Sequence, residues 1–207
     1  MSTATPRDTT PVARQSEGGR PQATTRAELA RVAFALFAAD GYAETSVEDI
    51  AAAAGIARRT FFRYFASKAD LVWGDFPSLI TAMRASLRAR RDSTPMMQAL
   101  HDAALEFNVV RPEDEDAHRE RMTLILRVPA LRADSTLRFD AWRAEVAEFA
   151  AARLGREPHD LLPVVIGYSA LGASLAAYEQ WLATPGSDLG QLLHEAFTLL
   201  AAGRPDG

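Results

Sequence analysis

The chain has 207 residues, 48% of them hydrophobic, enough for a sizeable core in one large domain or two small ones. It contains no cysteine, which excludes disulfides, thiol chemistry and cysteine-ligated zinc. The formal net charge is −4, unevenly spread: residues 1 to 70 hold nine Lys/Arg against eight Asp/Glu, a net of +1, whereas residues 71 to 207 hold fourteen against nineteen, a net of −5. No apolar signal-peptide core opens the chain, and no uninterrupted apolar run approaches the roughly 18 residues of a membrane span, so a cytoplasmic protein with no membrane partner is expected.

Residues 1 to 23 are rich in Thr, Pro, Gly and Arg, lack apolar periodicity and read as a disordered basic arm. Its Arg7, Arg14 and Arg20 either reach an adjacent groove of a nucleic acid or belong to an untethered tail. Thr25 with Glu28 forms a capping box that starts a first helix, and Leu29, Val32, Ala33, Leu36 and Phe37 supply one apolar stripe before Gly41 closes it. A second helix is capped by Ser46, with Asp49 three positions on, and carries Val47, Ile50, Ala51 and Ala54 at helical spacing. Gly55 permits the left-handed turn after which a third helix restarts at once, so the two cross steeply. That third helix opens with Arg58, Arg59 and Thr60, and Phe61 and Phe65 pack it onto its partner. Arg58, Arg59, Arg63 and Lys68 fall within eleven residues that contain no acid, so the local field is basic despite the acidic total.

The block TSVEDIAAAAGIARRTFFRYF, with its flanks Leu36-Phe37, Gly41-Tyr42 and Ser67-Lys68, resembles the DNA-binding domain of TetR-family transcriptional regulators. The likeness runs from about Thr25 to Leu71. It implies an all-α protein whose N-terminal three-helix unit, residues 24–70, reads DNA, and whose larger helical part, residues 71–207, binds a ligand and dimerises. One departure stands out: Phe62 occupies the position where the family usually carries a phosphate-contacting tyrosine, a loss of about 1 kcal/mol per half-site if nothing replaces it. Arg63 and Tyr64 are the nearby substitutes.

After Phe65, Ser67 and Asp70 cap a helix expected to run to about Arg91, kinked or split by Pro77, and to link the two domains. Beyond Pro95 every periodic segment is helical, with helices expected at about 96 to 109, 114 to 127, 135 to 154, 159 to 183 and 187 to 202. Pro129 is expected to break the chain, and Gly155 and Pro158 to bracket a turn. The segment LLPVVIGYSALGASLAAYEQWL is apolar or small on nearly every face, so it needs cover from all sides. A homodimer interface is therefore expected on the last two helices, through Gly167, Ala170, Leu171, Ser174, Leu193, Phe197 and Leu200.

DNA reading is the chemistry with a coherent residue set. Arg58 and Arg59 suit base edges, Thr60 a base or a phosphate, and Arg63 either; Arg26, Thr45, Ser46, Tyr64 and Lys68 are expected on the DNA backbone. Trp73, Phe76, Met83, Phe107, Met122, Phe139, Trp142, Tyr168 and Tyr178 supply more bulky apolar groups than a tight bundle needs and suggest a cavity for an apolar small molecule. Arg58 to Phe76, with its Trp73-Gly74-Asp75-Phe76 element, is similar to regulators found beside mycofactocin biosynthesis genes; that likeness implies a long-chain acyl-CoA ligand, for whose phosphates Arg119, Arg121, Arg127 and Arg132 are candidates. The histidines His101, His118, His159 and His194 lie far apart with no catalytic motif and are expected at the surface, so no enzyme, cofactor or metal is expected. The expectation is a homodimeric repressor on a palindromic operator, its reading helices about 34 Å apart. An architectural DNA binder, or a helical enzyme, is the alternative.

Overall fold

The structure, a computed structural model, describes residues 25–90 and 92–203, so the expected N-terminal arm lies outside it. Among the described residues the regular structure is helical throughout. α1 (Arg26–Asp40) starts at the expected capping box: the Glu28 backbone N–H donates to the Thr25 hydroxyl, and the Thr25 N–H donates to the Glu28 carboxylate. It buries Leu29, Ala33, Phe34 and Phe37, so Phe34 widens the expected stripe. α2 (Val47–Ala53) has the second such box, Ser46 with Asp49. Gly55, at φ +66°, makes the turn to α3 (Arg58–Tyr64), whose Phe61 and Phe65 are buried against α1 and α2.

Both prolines lie at interruptions of the helical chain, as expected, and each sits in the first turn of the helix that follows. The helix expected to reach Arg91 ends as α4 (Lys68–Trp73); Gly74, at φ +67°, turns the chain, and α5 (Phe76–Ala89) carries Pro77 in its first turn. There the missing N–H has no helical partner to lose. Pro129 likewise opens α8 (Pro129–Leu154), which begins well before residue 135. α6 (Met96–Phe107), a 3-10 turn at Pro112–Asp114, α7 (Glu115–Arg127), α9 (Leu161–Ala183) and α10 (Leu189–Ala202) complete the body.

One apolar cluster runs without a break from Leu29 in α1 to Phe197 in α10. Burial of each Leu, Ile, Val, Phe or Met in it contributes roughly 1.5–3 kcal/mol. A boundary at residue 70 therefore falls inside α4, whose Leu71, Val72 and Trp73 are buried. α5 is tied to α8 by Arg84, which pairs through Nε (2.8 Å) and Nη2 with the buried Glu145. α9 lies so close to α8 that a Cβ on Gly167 would sit 3.0 Å from the Arg143 carbonyl oxygen.

That closeness corrects the expected dimer contacts. Gly167, Ala170, Ser174, Leu193 and Phe197 are buried within the chain's own body, Leu171 lines its cavity, and Leu200 is half-buried. Small residues here let two helices of one chain approach each other. The exposed apolar stripe of α9 is a different one: Leu161, Val165 and Tyr168 lie at i, i+4 and i+7, followed by the exposed Gly172 and Ala176. α9 is also, contrary to expectation, long and apolar enough to cross a membrane, since residues 161–178 carry no charge.

Two residues expected on DNA are used internally. Thr45 is 2% exposed, and its hydroxyl donates to the Gly41 carbonyl at 2.8 Å. Lys68 donates through Nζ to the carbonyls of Tyr42 and Thr45, both at 2.6 Å, with the Tyr42 ring 4.1 Å away. The ammonium thus pins the α1–α2 loop to the start of α4. Lys68→Met is expected to lower unfolding stability by about 2 kcal/mol, because it orphans two carbonyls in charge-assisted bonds; urea denaturation measures this.

Candidate functional site: a nucleic-acid interface and a cavity

α3 is held by the Phe61 and Phe65 anchors, which leaves its opposite side to solvent. On that side Arg58 makes a 2.5 Å ion pair from Nε to Glu48, with both side chains more than half exposed. Such a pair contributes little stability, so exchange for a guanine edge or a phosphate is cheap. The Arg58 guanidinium also lies 5.0 Å from the exposed Phe62 ring. Arg59 is exposed and Thr60 half-exposed beside it. Arg63 stacks 5.2 Å from the Tyr64 ring and donates to its hydroxyl at 3.4 Å. Arg26 covers the Phe65 ring at 4.6 Å, which sets it at the edge of the same unit. The Ser46 hydroxyl is shared with Asp49, donating to its carboxylate at 2.6 Å. Five cationic or hydroxyl side chains, Arg26, Arg58, Arg59, Thr60 and Arg63, thus remain on the outside, while Thr45 and Lys68 do not.

The body holds a half-open cavity of about 440 Å³ bounded by α4, α5, α6, α7, α8 and α9. Its apolar wall is a run of rings in edge-to-face contact: Trp73 on Phe76 (5.1 Å) and Phe139 (5.8 Å), Phe76 on Phe107 (6.0 Å), and Phe107 on Trp142 (6.4 Å). Met122 and Tyr178 also line it. Two expected members are elsewhere. Met83 is buried outside the lining, and Tyr168 is 59% exposed on the far side of α9, under the Arg143 guanidinium at 3.8 Å.

The cavity also has a polar side that residue spacing alone did not pick out: Asn108, His118, Arg121 and Ser174. His118 was expected at the surface. The one usable signal was that His118, Arg121, Met122 and Ile125 share a face of α7 at i, i+3, i+4 and i+7. The bonds run in one direction. Asn108 Nδ2 donates to the Ala104 carbonyl (2.7 Å), the Tyr178 hydroxyl donates to Asn108 Oδ1 (2.8 Å), and His118 Nε2 lies 2.9 Å from the Tyr178 oxygen. The hydroxyl has spent its proton on Asn108, so Nε2 carries the hydrogen of a neutral imidazole. Burial, and then the charge of Arg121, push the His118 pKa down to about 4. Burial raises the Tyr178 hydroxyl well above its usual range. Trp73 Nε1 is buried with no hydrogen-bond partner among the described residues, an unsatisfied donor in this wall.

An exposed arginine-bearing helix after a glycine turn, joined to an all-helical body with a half-open cavity, defines a helix-turn-helix DNA-binding regulator. Residues 29–72 match the family described as bacterial regulatory proteins, tetR family, and residues 94–205 match the MftR C-terminal domain. The chain belongs to the TetR family of transcriptional regulators, in the branch with an MftR-type C-terminal domain. It is 40% identical over 189 residues to the mycofactocin biosynthesis transcriptional regulator MftR of Mycobacterium tuberculosis, covering 91% of this chain and 96% of that one. The likeness expected only in Arg58 to Phe76 thus extends through the helical body. Matching families and relatives are regulators, not enzymes. Among solved structures, the SmeT–triclosan complex superimposes with a TM-score of 0.64 at 22% identity, covering 88% of this chain and 92% of that chain. FadR of Bacillus subtilis in complex with stearoyl-CoA superimposes with a TM-score of 0.61 at 17% identity, covering 86% and 99%.

The His118 shift has a measurable consequence. Its folded pKa is depressed, so the stability it contributes is complete above the unfolded value of about 6.5 and is lost as pH falls toward 4. The loss is at most about 3 kcal/mol. His118→Gln, which retains a donor to Tyr178 and cannot titrate, is expected to flatten the wild-type stability profile over that window, as read by urea midpoints from pH 7 to 4.

Proposed function

We propose that the protein is a homodimeric repressor that holds a palindromic operator through Arg58 and Arg59 and releases it when an apolar small molecule fills the cavity. The observation that carries this is the pairing of an exposed, acid-poor reading helix with a ring-lined cavity of about 440 Å³ in one packed chain. An architectural DNA binder has no use for the second feature. A partner of identical chemistry suits the exposed stripe of Leu161, Val165 and Tyr168 on α9 together with Leu199 on α10, because an isologous face is self-complementary about a two-fold axis. Covered by a second copy, α9 needs no membrane. Two-fold symmetry sets the two α3 helices on successive major grooves, about 34 Å apart. Arg63, Arg26, Thr60, Ser46 and Tyr64 then orient the unit on phosphates.

For the effector we favour a long-chain acyl-CoA. FadR of Bacillus subtilis, of the same fold, has been crystallised in complex with stearoyl-CoA. Here a second hollow of about 360 Å³ shares Ile125, Phe139 and Leu175 with the main cavity and contains Arg127 and Arg132. Arg127 is held by Glu179 at 2.6 Å, an exposed pair that a phosphate can replace; Arg119 is committed to the Trp181 carbonyl at 2.5 Å and to the Trp181 ring. Release requires the effector to prefer the conformer that does not fit DNA, and each 1.4 kcal/mol of preference is worth about tenfold in operator affinity.

Arg58→Ala with Arg59→Ala is expected to weaken binding to duplexes selected by the wild type by a hundredfold or more, about 1–3 kcal/mol for each lost base pair contact, with the oligomer unchanged in sedimentation. Retained affinity contradicts the base-reading assignment. Titration with long-chain acyl-CoA is expected to raise Tm and weaken operator binding; no change in either rejects that ligand class.

A further inference from the structure

The polar side of the cavity holds a positive charge that no carboxylate among the described residues pairs with, and the Phe34 ring, 5.3 Å away, is its aromatic neighbour. Arg121 projects from α7 into the lining, half-buried, and among the described residues it makes no ion pair and no hydrogen bond. Three acids of the neighbouring elements are engaged elsewhere, and Asp75, next to Gly74, is exposed to solvent and makes no ion pair with Arg121. Asp114 is paired with Arg111 at 2.5 Å, Glu115 with Arg119 at 3.2 Å, and Asp70 with Arg138 at 2.6 Å. His118 on the same face is neutral and bound to Tyr178. Guanidinium stays protonated at any physiological pH even where burial lowers its affinity for the proton, so this charge is partly desolvated without an ion-pair partner among the described residues. A TetR-type pocket for a wholly neutral effector has no need of it.

We propose that Arg121 is the docking point for an anionic group on the effector, so that the effector is an amphipathic anion whose hydrocarbon body lies on the Trp73–Phe76–Phe107–Trp142 wall and whose charged oxygens take the guanidinium fork. This rests on the cavity being the effector site and narrows its chemistry. Two parallel N–H···O bonds in a low-dielectric setting give both affinity and orientation. The neighbours of Arg121 add a route for the signal. Its guanidinium lies 5.3 Å from the ring of Phe34 in α1, and a Cβ on Gly74 would stand 2.7 Å from its Nη1. Gly74 joins α4 to α5, and α1 packs on the reading unit. An anion that draws the guanidinium toward the cavity therefore withdraws it from two elements that position α3.

The test uses the full chain and follows quenching of the tryptophans, since Trp73 and Trp142 line the cavity. Decanoate, 1-decanol and decanoyl-CoA are titrated at pH 7.5 into wild type, Arg121→Gln and Arg121→Lys. Wild type is expected to bind decanoate at least tenfold more tightly than decanol. In Arg121→Gln that advantage disappears while decanol affinity stays within twofold, which also reports an intact cavity; Arg121→Lys keeps the charge without the fork and loses part of it. A loss for decanoate alone assigns a free carboxylate as the docked group, and a parallel loss for decanoate and decanoyl-CoA admits a carrier phosphate at the same guanidinium. Equal binding of acid and alcohol by wild type, an acid advantage that survives in Arg121→Gln, or an equal drop for all three ligands overturns the proposal and leaves the cavity reading standing. Failure of every ligand to bind wild type overturns both.

Discussion

The packing of α4 against α7 makes the DNA-reading unit and the cavity share a wall. Trp73 closes α4 and lines the cavity, and its ring meets Phe76 and Phe139. Asp70, one turn earlier, is clamped by Arg138 of α8 at 2.6 Å, and the same arginine lies over the Trp73 ring. Gly74 then turns the chain with a positive φ, and its lack of a Cβ leaves room for the Arg121 guanidinium. α4 has only six residues, with Lys68 at its first position pinned to the α1–α2 loop. In the proposed mechanism this short, doubly anchored rod is the element that passes a displacement at Trp73 on to α1 and α2, because close-packed interiors do not absorb strain gradually.

Each half of the molecule suits one side of this coupling. The reading unit has few polar commitments on its outer face: the Arg58–Glu48 pair is exposed and readily exchanged. The body carries charges at set places, with the buried Glu145 answered by Arg84 and the half-buried Arg121 in no ion pair among the described residues. A partly desolvated charge without an ion-pair partner is where a ligand gains most by binding, because it relieves a desolvation already present. A pocket of rings alone gives affinity without direction; a fixed charge at one end gives the ligand an orientation and hence a preferred conformer.

The helix-turn-helix was legible because its determinants are local. The Thr25–Glu28 and Ser46–Asp49 boxes, Gly55 and the Phe61–Phe65 spacing are all set within four residues. The ring wall was legible as composition, since bulky side chains in excess of a tight core have to face a space. What escaped depends on distance along the chain. Lys68 reaches carbonyls 23 and 26 residues away, so its basic charge next to the arginines suggested DNA when its partner is a loop. Pro77 and Pro129 read equally as stop or start until the cap geometry is known. Gly167, Ala170 and Ser174 mark close helix approach without saying whether the neighbour is in the same chain. His118 and Arg121 are single polar residues on an apolar stripe, and only the fold shows that the stripe borders a cavity.

In the proposed mechanism a ligand in the cavity changes the separation of two reading helices. Because the chain has no cysteine, a single Ala66→Cys substitution in the exposed turn between α3 and α4 carries one spin label per protomer. Pulsed electron–electron spectroscopy then measures the separation directly. The account predicts a label distance compatible with reading heads about 34 Å apart on DNA, shifting to a distinct value when a saturating amphipathic anion is added. A distribution unchanged by a ligand that demonstrably occupies the cavity, or the absence of any interprotomer distance, contradicts it.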